Sequence, residues 1–149
     1  MALVLVVDDE PSFRFFLKAL FETEGHEVMI GRNAEEGLKH VNSRIPDLIT
    51  LDVMMPGHGG LEMYRALKTN GSWKHIPVIM LSGVKTDTYT HALAMSEVGG
   101  EILPEPYAYV EKPPQPEHLL KLARPILERA KSLPDPDKGA LNGTQNSDC

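Results

Sequence analysis

The run Asp47-Leu48-Ile49-Thr50-Leu51-Asp52, followed at once by Val53-Met54-Met55-Pro56-Gly57, decides the fold. Leu48 to Leu51 suit a buried strand, and the Pro-Gly pair marks the loop where that strand stops. Asp52 therefore stands at the C-terminal end of a core strand, where a carboxylate has no packing role, because burying it unpaired is costly. In open α/β sheets this rim is where ligands and chemistry gather. A second apolar run, Leu3 to Val7, ends in the same way at Asp8-Asp9-Glu10-Pro11. Two strands that deliver carboxylates to one rim suggest a cation.

Leu3-Val4-Leu5-Val6-Val7 is apolar throughout, the pattern of a strand covered on both faces. Pro11 and Ser12 open a helix in which Phe13, Phe16, Leu17, Leu20 and Phe21 recur at three- and four-residue spacing, and the phenylalanines are read as core. His26 to Ile30 reads as a second strand. Asn33 caps a second helix, Ala34 to Asn42, with Leu38 and Val41 facing inward. Strand three is Leu48 to Asp52, and helix three runs from about Leu61 to Thr69, ended by Asn70-Gly71. Ile76 to Leu81 forms strand four and leads into Ser82-Gly83. Thr86 to about Glu97 reads as a fourth helix, cut short by Val98-Gly99-Gly100. Tyr107 to Val110 is strand five, ending at Glu111-Lys112-Pro113. Pro116 to Ser132 is a fifth helix, which Pro125 should kink or split.

Strands alternating with helices over short connections imply a doubly wound α/β fold, a five-stranded parallel sheet with five helices. The domain is expected over residues 1–132, and residues 133–149, with little to bury, read as a disordered tail. A formal net charge of −6 argues against a general nucleic-acid or anionic-membrane binder. No apolar run is long enough to span a membrane, and no signal-peptide pattern precedes the first strand, so a cytoplasmic location is expected. The single cysteine, Cys149, excludes an intrachain disulfide and a cysteine-cluster metal site.

In a parallel sheet all strand C-termini share one rim, so Asp8-Asp9, Asp52, Ser82 and Lys112 should converge there. Three carboxylates, a hydroxyl and an ammonium form a coherent set for phosphoryl transfer. Hard oxygen donors suit Mg2+, which lets an anionic Asp52 approach an anionic phosphoryl group. Lys112 can neutralise the equatorial oxygens and Ser82 can donate a hydrogen bond to one of them. An aspartate nucleophile that forms an acyl phosphate is a known form of covalent catalysis.

At these residues the chain resembles the receiver domain of two-component response regulators, of the single-domain, chemotaxis-regulator type. The matching pieces are Val7-Asp8-Asp9-Glu10, Leu51 to Gly57, Leu81-Ser82-Gly83 and Glu111-Lys112-Pro113, and the resemblance runs from Leu3 to about Ala130. It implies the flavodoxin-like receiver fold, with Asp52 taking a phosphoryl group from the phosphohistidine of a sensor histidine kinase or phosphotransfer protein. It implies Mg2+ held by Asp9, Asp52 and the Met54 backbone carbonyl, with Asp8 positioning water. Ser82 and Lys112 would read the phosphoryl group, and Tyr109 matches the aromatic switch position that follows Ser82. Such a domain is not a turnover enzyme: it signals by contact with an output protein, and a homodimer on phosphorylation is one possible form.

The interval from Ser82 to Lys112 is longer than the family's usual one, and the surplus lies around Gly99 to Pro106, on the flank that usually carries the output surface. Met54 and Val84 are apolar at positions that influence the hydrolytic water, which predicts a long-lived phosphoryl group. A phosphatase of the haloacid-dehalogenase type would need a second acid where Met54 stands. A flavodoxin-like FMN module would need a hydroxyl- and glycine-rich loop where Asp8-Asp9-Glu10 would instead repel a phosphate. A degenerate receiver, acting as a non-phosphorylated interaction module, is disfavoured by the complete residue set. Nothing after residue 132 is large enough for an output module, so a stand-alone switch is expected.

Overall fold

The computed structural model describes residues 1–53, 55, 59–83, 97–98 and 101–132. In chain order these form β1 (Leu3–Val7), α1 (Pro11–Thr23), β2 (Glu27–Gly31), α2 (Ala34–Ser43), β3 (Leu48–Asp52) and α3 (Gly60–Thr69). They continue with β4 (Val78–Ser82), β5 (Glu97–Val98), β6 (Glu101–Ile102), β7 (Ala108–Glu111) and α4 (Pro116–Ser132). Five strands make one wholly parallel sheet in the order β2-β1-β3-β4-β7. Helices cover both faces, which is the doubly wound, flavodoxin-like arrangement expected.

The side-chain alternation of the strands divides the core into two layers. Val4 and Val6 of β1, with Leu48, Ile79 and Leu81, meet Leu17 and Phe21 of α1 and Leu119, Ala123 and Leu127 of α4. Leu5 and Val7, with Ile49, Leu51, Val78 and Met80, belong to the opposite layer with Ala34 and Val41 of α2 and Met63, Tyr64 and Leu67 of α3. The strands β1, β3 and β4 are buried along their whole length, whereas the edge strands β2 and β7 are buried only in part.

Several boundaries differ from expectation. The edge strand β2 is Glu27–Gly31 rather than His26 to Ile30, and β7 is Ala108–Glu111 rather than Tyr107 to Val110. Strand β4 begins at Val78, after Pro77, which has no N–H to give a ladder. Helix α4 runs unbroken through Pro125. Pro125 and Lys121, whose carbonyl loses its helical partner, are both exposed residues. Asn33 does cap α2: its side chain accepts the Glu36 N–H at 2.8 Å, and Glu36 in turn accepts the Arg32 N–H at 2.8 Å.

Phe13 and Phe16 are not core. Only Leu17 and Phe21 of that stripe are fully buried, and Phe16 is 36% exposed. The first turn of α1 follows directly on the end of β1, so its side chains lie at the rim of the sheet and not over its face. The fourth helix expected from Thr86 and the tail from residue 133 lie outside the described residues, but Glu97, the expected end of that helix, belongs to β5. The pair β5 and β6 is antiparallel, with Val98 opposite Glu101. The chain after it is tied to α3: Leu103 is buried with Tyr64 and Leu67, and the Tyr64 hydroxyl donates to the Pro104 carbonyl at 2.6 Å.

Candidate functional site

The register of the parallel ladder sets the site. Asp52 lies level with Leu81, and Ser82, the last residue of β4, lies level with Glu111. The N–H of Lys112 donates to the Ser82 carbonyl at 2.8 Å, and that of Val53 to the Leu81 carbonyl at 3.1 Å. On the far side of β3, Asp8 continues β1 and its N–H donates to the Gly31 carbonyl at 3.1 Å. Asp8, Asp52, Ser82 and Lys112 are thus brought to one rim by backbone pairing alone, as the sequence predicts.

Asp8 is 1% exposed and Asp52 3%, so their charges require partners. Asp8 Oδ1 accepts the Glu10 N–H at 2.9 Å, and its carbonyl accepts from Arg14 Nη1 at 2.8 Å. Lys112 Nζ lies 2.7 Å from Asp8 Oδ2, 3.3 Å from Asp52 Oδ2 and 3.6 Å from Glu10 Oε1. The contacts with Asp8 and Asp52 are close ion pairs between buried groups. Burial pushes the Lys112 ammonium towards losing its proton, but the adjacent Asp8 and Asp52 carboxylates outweigh it, and the net shift is upward. A charged lysine at the rim is the consequence.

Ligand oxygens of Asp8, Asp9, Glu10 and Asp52 all lie within 4.8 Å of one another. Opposite oxygens on an octahedral Mg2+ stand about 4.2 Å apart, so the cluster needs little contraction to hold a small divalent cation. Four carboxylates facing one ammonium also leave the rim net anionic, which favours a cation. Glu10 is a member that the sequence does not point to. It stands in the quoted run, but nothing in its neighbourhood in the chain says that its carboxylate reaches back to Lys112. Met54, whose carbonyl was expected as a ligand, and Val84 lie outside the described residues. Tyr109 sits two residues before Glu111 in β7, level with Met80 and half-buried against the α2–α3 layer.

Gly60 completes the support of Asp52. Its N–H donates to the Val53 carbonyl at 3.2 Å. A Cβ there would run into the Asp52 carbonyl oxygen and come within 2.8 Å of Val53 Cα. The start of α3 is therefore packed directly on the backbone that carries Asp52.

A parallel α/β sheet with a cluster of carboxylates and one lysine at its carboxyl rim defines a signalling domain of the flavodoxin-like receiver class. The chain belongs to the response regulator receiver domain family, whose sequence profile matches residues 4–124. Protein PilH of Pseudomonas aeruginosa is 31% identical over 127 residues, covering 85% of this chain and 98% of PilH. The CAI-1 autoinducer sensor kinase/phosphatase CqsS of Vibrio cholerae is 38% identical over 98 residues, which are 65% of this chain and 14% of CqsS. The DNA-binding response regulator MtrA of Mycolicibacterium smegmatis is 31% identical over 131 residues, covering 88% of this chain and 53% of MtrA. The chain thus spans about half or less of the length of several curated relatives. Among solved structures, the chemotaxis protein CheY4 of Vibrio cholerae superposes with a TM-score of 0.70 at 28% identity, covering 85% of this chain and 99% of that one. A receiver domain of a signal transduction histidine kinase from Syntrophus aciditrophicus gives 0.74 at 25% identity, covering 91% and 96%. Among the described residues no helix is long and apolar enough to cross a membrane.

Proposed function

We propose that Asp52 is the phosphoacceptor of a two-component phosphorelay, taking its phosphoryl group from the phosphohistidine of a sensor histidine kinase or phosphotransfer protein in the cytoplasm. The observation that carries this reading is the buried Lys112 ammonium held between Asp8 and Asp52 at the carboxyl rim. An Asp52 carboxylate oxygen attacks phosphorus in line, the P–N bond of the donor breaks, and its electron pair returns to the imidazole. Lys112 needs only a short shift from Asp8 to meet the oxygens of the arriving group, since it already lies 3.3 Å from Asp52. The Ser82 hydroxyl, at the end of the adjacent strand, donates to one of those oxygens.

Asp8, Asp9, Glu10 and Asp52 are the residues that would hold Mg2+, with the Met54 carbonyl as a further donor. When bound, the ion supplies the positive charge that lets the carboxylate and the phosphoryl group approach. The apolar side chains of Met54 and Val84 offer nothing to orient a hydrolytic water, so the acyl phosphate is long-lived. Ser82 and Tyr109 carry the change outward along β4 and β7, and an output protein, or a second copy of the chain, reads it by contact.

Incubation with Mg2+ and acetyl phosphate, followed by intact-mass measurement, tests the reading. The wild type is expected to gain one phosphoryl group and Asp52→Ala none. Absence of any gain with acetyl phosphate, phosphoramidate or a phosphorylated histidine donor would favour a non-phosphorylated interaction module.

A further inference from the structure

Phe13 is the feature of the rim that the phosphoacceptor reading does not use. It is half-buried in the first turn of α1, and the Lys112 Nζ lies 4.3 Å from its ring centroid. That is well inside the range in which an aromatic face attracts a cation. The other walls around Nζ are carboxylates: Asp8 at 2.7 Å, Asp52 at 3.3 Å and the half-exposed Glu10 at 3.6 Å. The ring also helps to line an apolar groove of about 330 Å3, together with Ser12, Phe16, Pro113, Pro114 and Pro116. Pro113 directly follows Lys112, so the ring and the segment that carries the ammonium line the same groove.

We infer that Phe13 is a positioning residue for phosphoryl transfer, its ring face holding the Lys112 ammonium at the rim. A lysine has a flexible four-carbon stem and a compact charge that re-aims easily. The carboxylates that hold it are also the candidate cation ligands, so their attraction for the ammonium is shared once a divalent ion arrives. The ring neither ligates nor titrates, and its pull persists through the exchange. It also replaces water on one side of Nζ, and the side chain of Lys112 is only 8% exposed. A site with less water around its cation stabilises developing charge more strongly. Any apolar residue fills the space that Phe13 fills, but only an aromatic one presents a negative face.

This inference rests on the phosphoacceptor reading, and the experiment separates the two. The rate of phosphorylation of the full chain by acetyl phosphate with Mg2+ is measured by intact mass for wild type, Phe13→Leu, Phe13→Met and Phe13→Tyr, each checked for folding by far-UV circular dichroism. The aliphatic variants are expected to be slower by about 2- to 30-fold, the rate equivalent of a cation–π contact between exposed and desolvated limits, and Phe13→Tyr to restore the rate. In metal-free protein, the ε-methylene protons of Lys112 are expected to be shifted upfield in the proton NMR spectrum by the ring, with the shift lost in Phe13→Leu and kept in Phe13→Tyr. Equal rates in wild type and both aliphatic variants would overturn the positioning role alone, as would a wild-type Lys112 resonance without the shift. A wild type that takes no phosphoryl group from any donor would overturn the phosphoacceptor reading and this role with it.

Discussion

Replacing Lys112 with methionine tests whether the ammonium holds the rim together. The variant keeps much of the apolar stem but leaves Asp8 and Asp52, 1% and 3% exposed, without the ammonium between them. At an effective dielectric of about 20, the 2.7 Å and 3.3 Å contacts correspond to attractions of about 6 and about 5 kcal/mol. Desolvation of the three groups offsets most of that, and removing one partner of a buried pair costs about 3–5 kcal/mol. The half-exposed Glu10 opens one side of the cluster to water, which places the expected loss at the lower end, about 3 kcal/mol. For a chain of this size that is a fall in Tm of roughly 6–12 °C. The assay is urea unfolding followed by far-UV circular dichroism in EDTA, with an unchanged m-value. Adding Mg2+ should narrow the gap to wild type, because a cation in the cluster replaces the missing charge and stabilises the folded state by mass action. Burial lowers the Lys112 pKa and its two carboxylate neighbours raise it further, so the folded value stands above the ordinary one. Its contribution is then complete below about pH 10.4 and fades only as pH rises through the folded value. The gap should be flat from neutral pH to about 10. A loss below about 1 kcal/mol, or a gap that closes between pH 7 and 9, would refute the reasoning.

Asp9→Asn removes one negative charge from a net anionic cluster, and should leave the metal-free protein as stable or more stable by up to about 1 kcal/mol. It should also lose the increment of about 2.7 kcal/mol expected at Mg2+ a hundredfold above Kd, as read by thermal melts with and without the ion. Gly60→Ala forces a methyl group against the Asp52 carbonyl and Val53 Cα, which should cost about 1–3 kcal/mol and slow phosphorylation of Asp52; an unchanged Tm would refute the close approach. Three donors from Arg32 hold the Glu36 carboxyl at about 2. A carboxyl-carbon NMR titration should show that value, and Arg32→Gln should move it up towards the ordinary range. Since the folded value is the lower one, this cap helps α2 above the ordinary carboxylate pKa and is lost as pH falls towards 2.

What was legible in the sequence follows from burial. β1, β3 and β4 are covered on both faces, so they read as mainly apolar runs, broken in β3 only by Thr50, and a carboxylate at the end of such a run stands out. The rim followed from topology: parallel strands must end together, and so must Asp8, Asp52, Ser82 and Lys112. Which carboxylate the ammonium prefers did not follow, because Asp8 and Asp52 are equally plausible until the 2.7 Å and 3.3 Å contacts are seen. Phe13 fits the helical stripe of α1 and yet is not core, since periodicity reports the direction of a side chain and not whether the sheet extends beneath it. The β5–β6 pair escaped for a different reason. Gly99-Gly100 is a hairpin signal, but two residues on either side are too few to show alternation. Pro125 does not split the last helix: a proline in the sequence marks one lost N–H and one crowded carbonyl, and does not say whether packing on either side carries the helix through.

The most direct test is to locate the phosphoryl group. After incubation with acetyl phosphate and Mg2+, borohydride reduction converts an acyl phosphate into a stable alcohol in place of the carboxyl group, and peptide mass spectrometry then reads its position. A single modified residue at Asp52, absent when Mg2+ is withheld, is the predicted result. Modification at Asp8, Asp9 or Glu10 with Asp52 untouched, or a phosphorylated product that borohydride leaves unchanged, would contradict it.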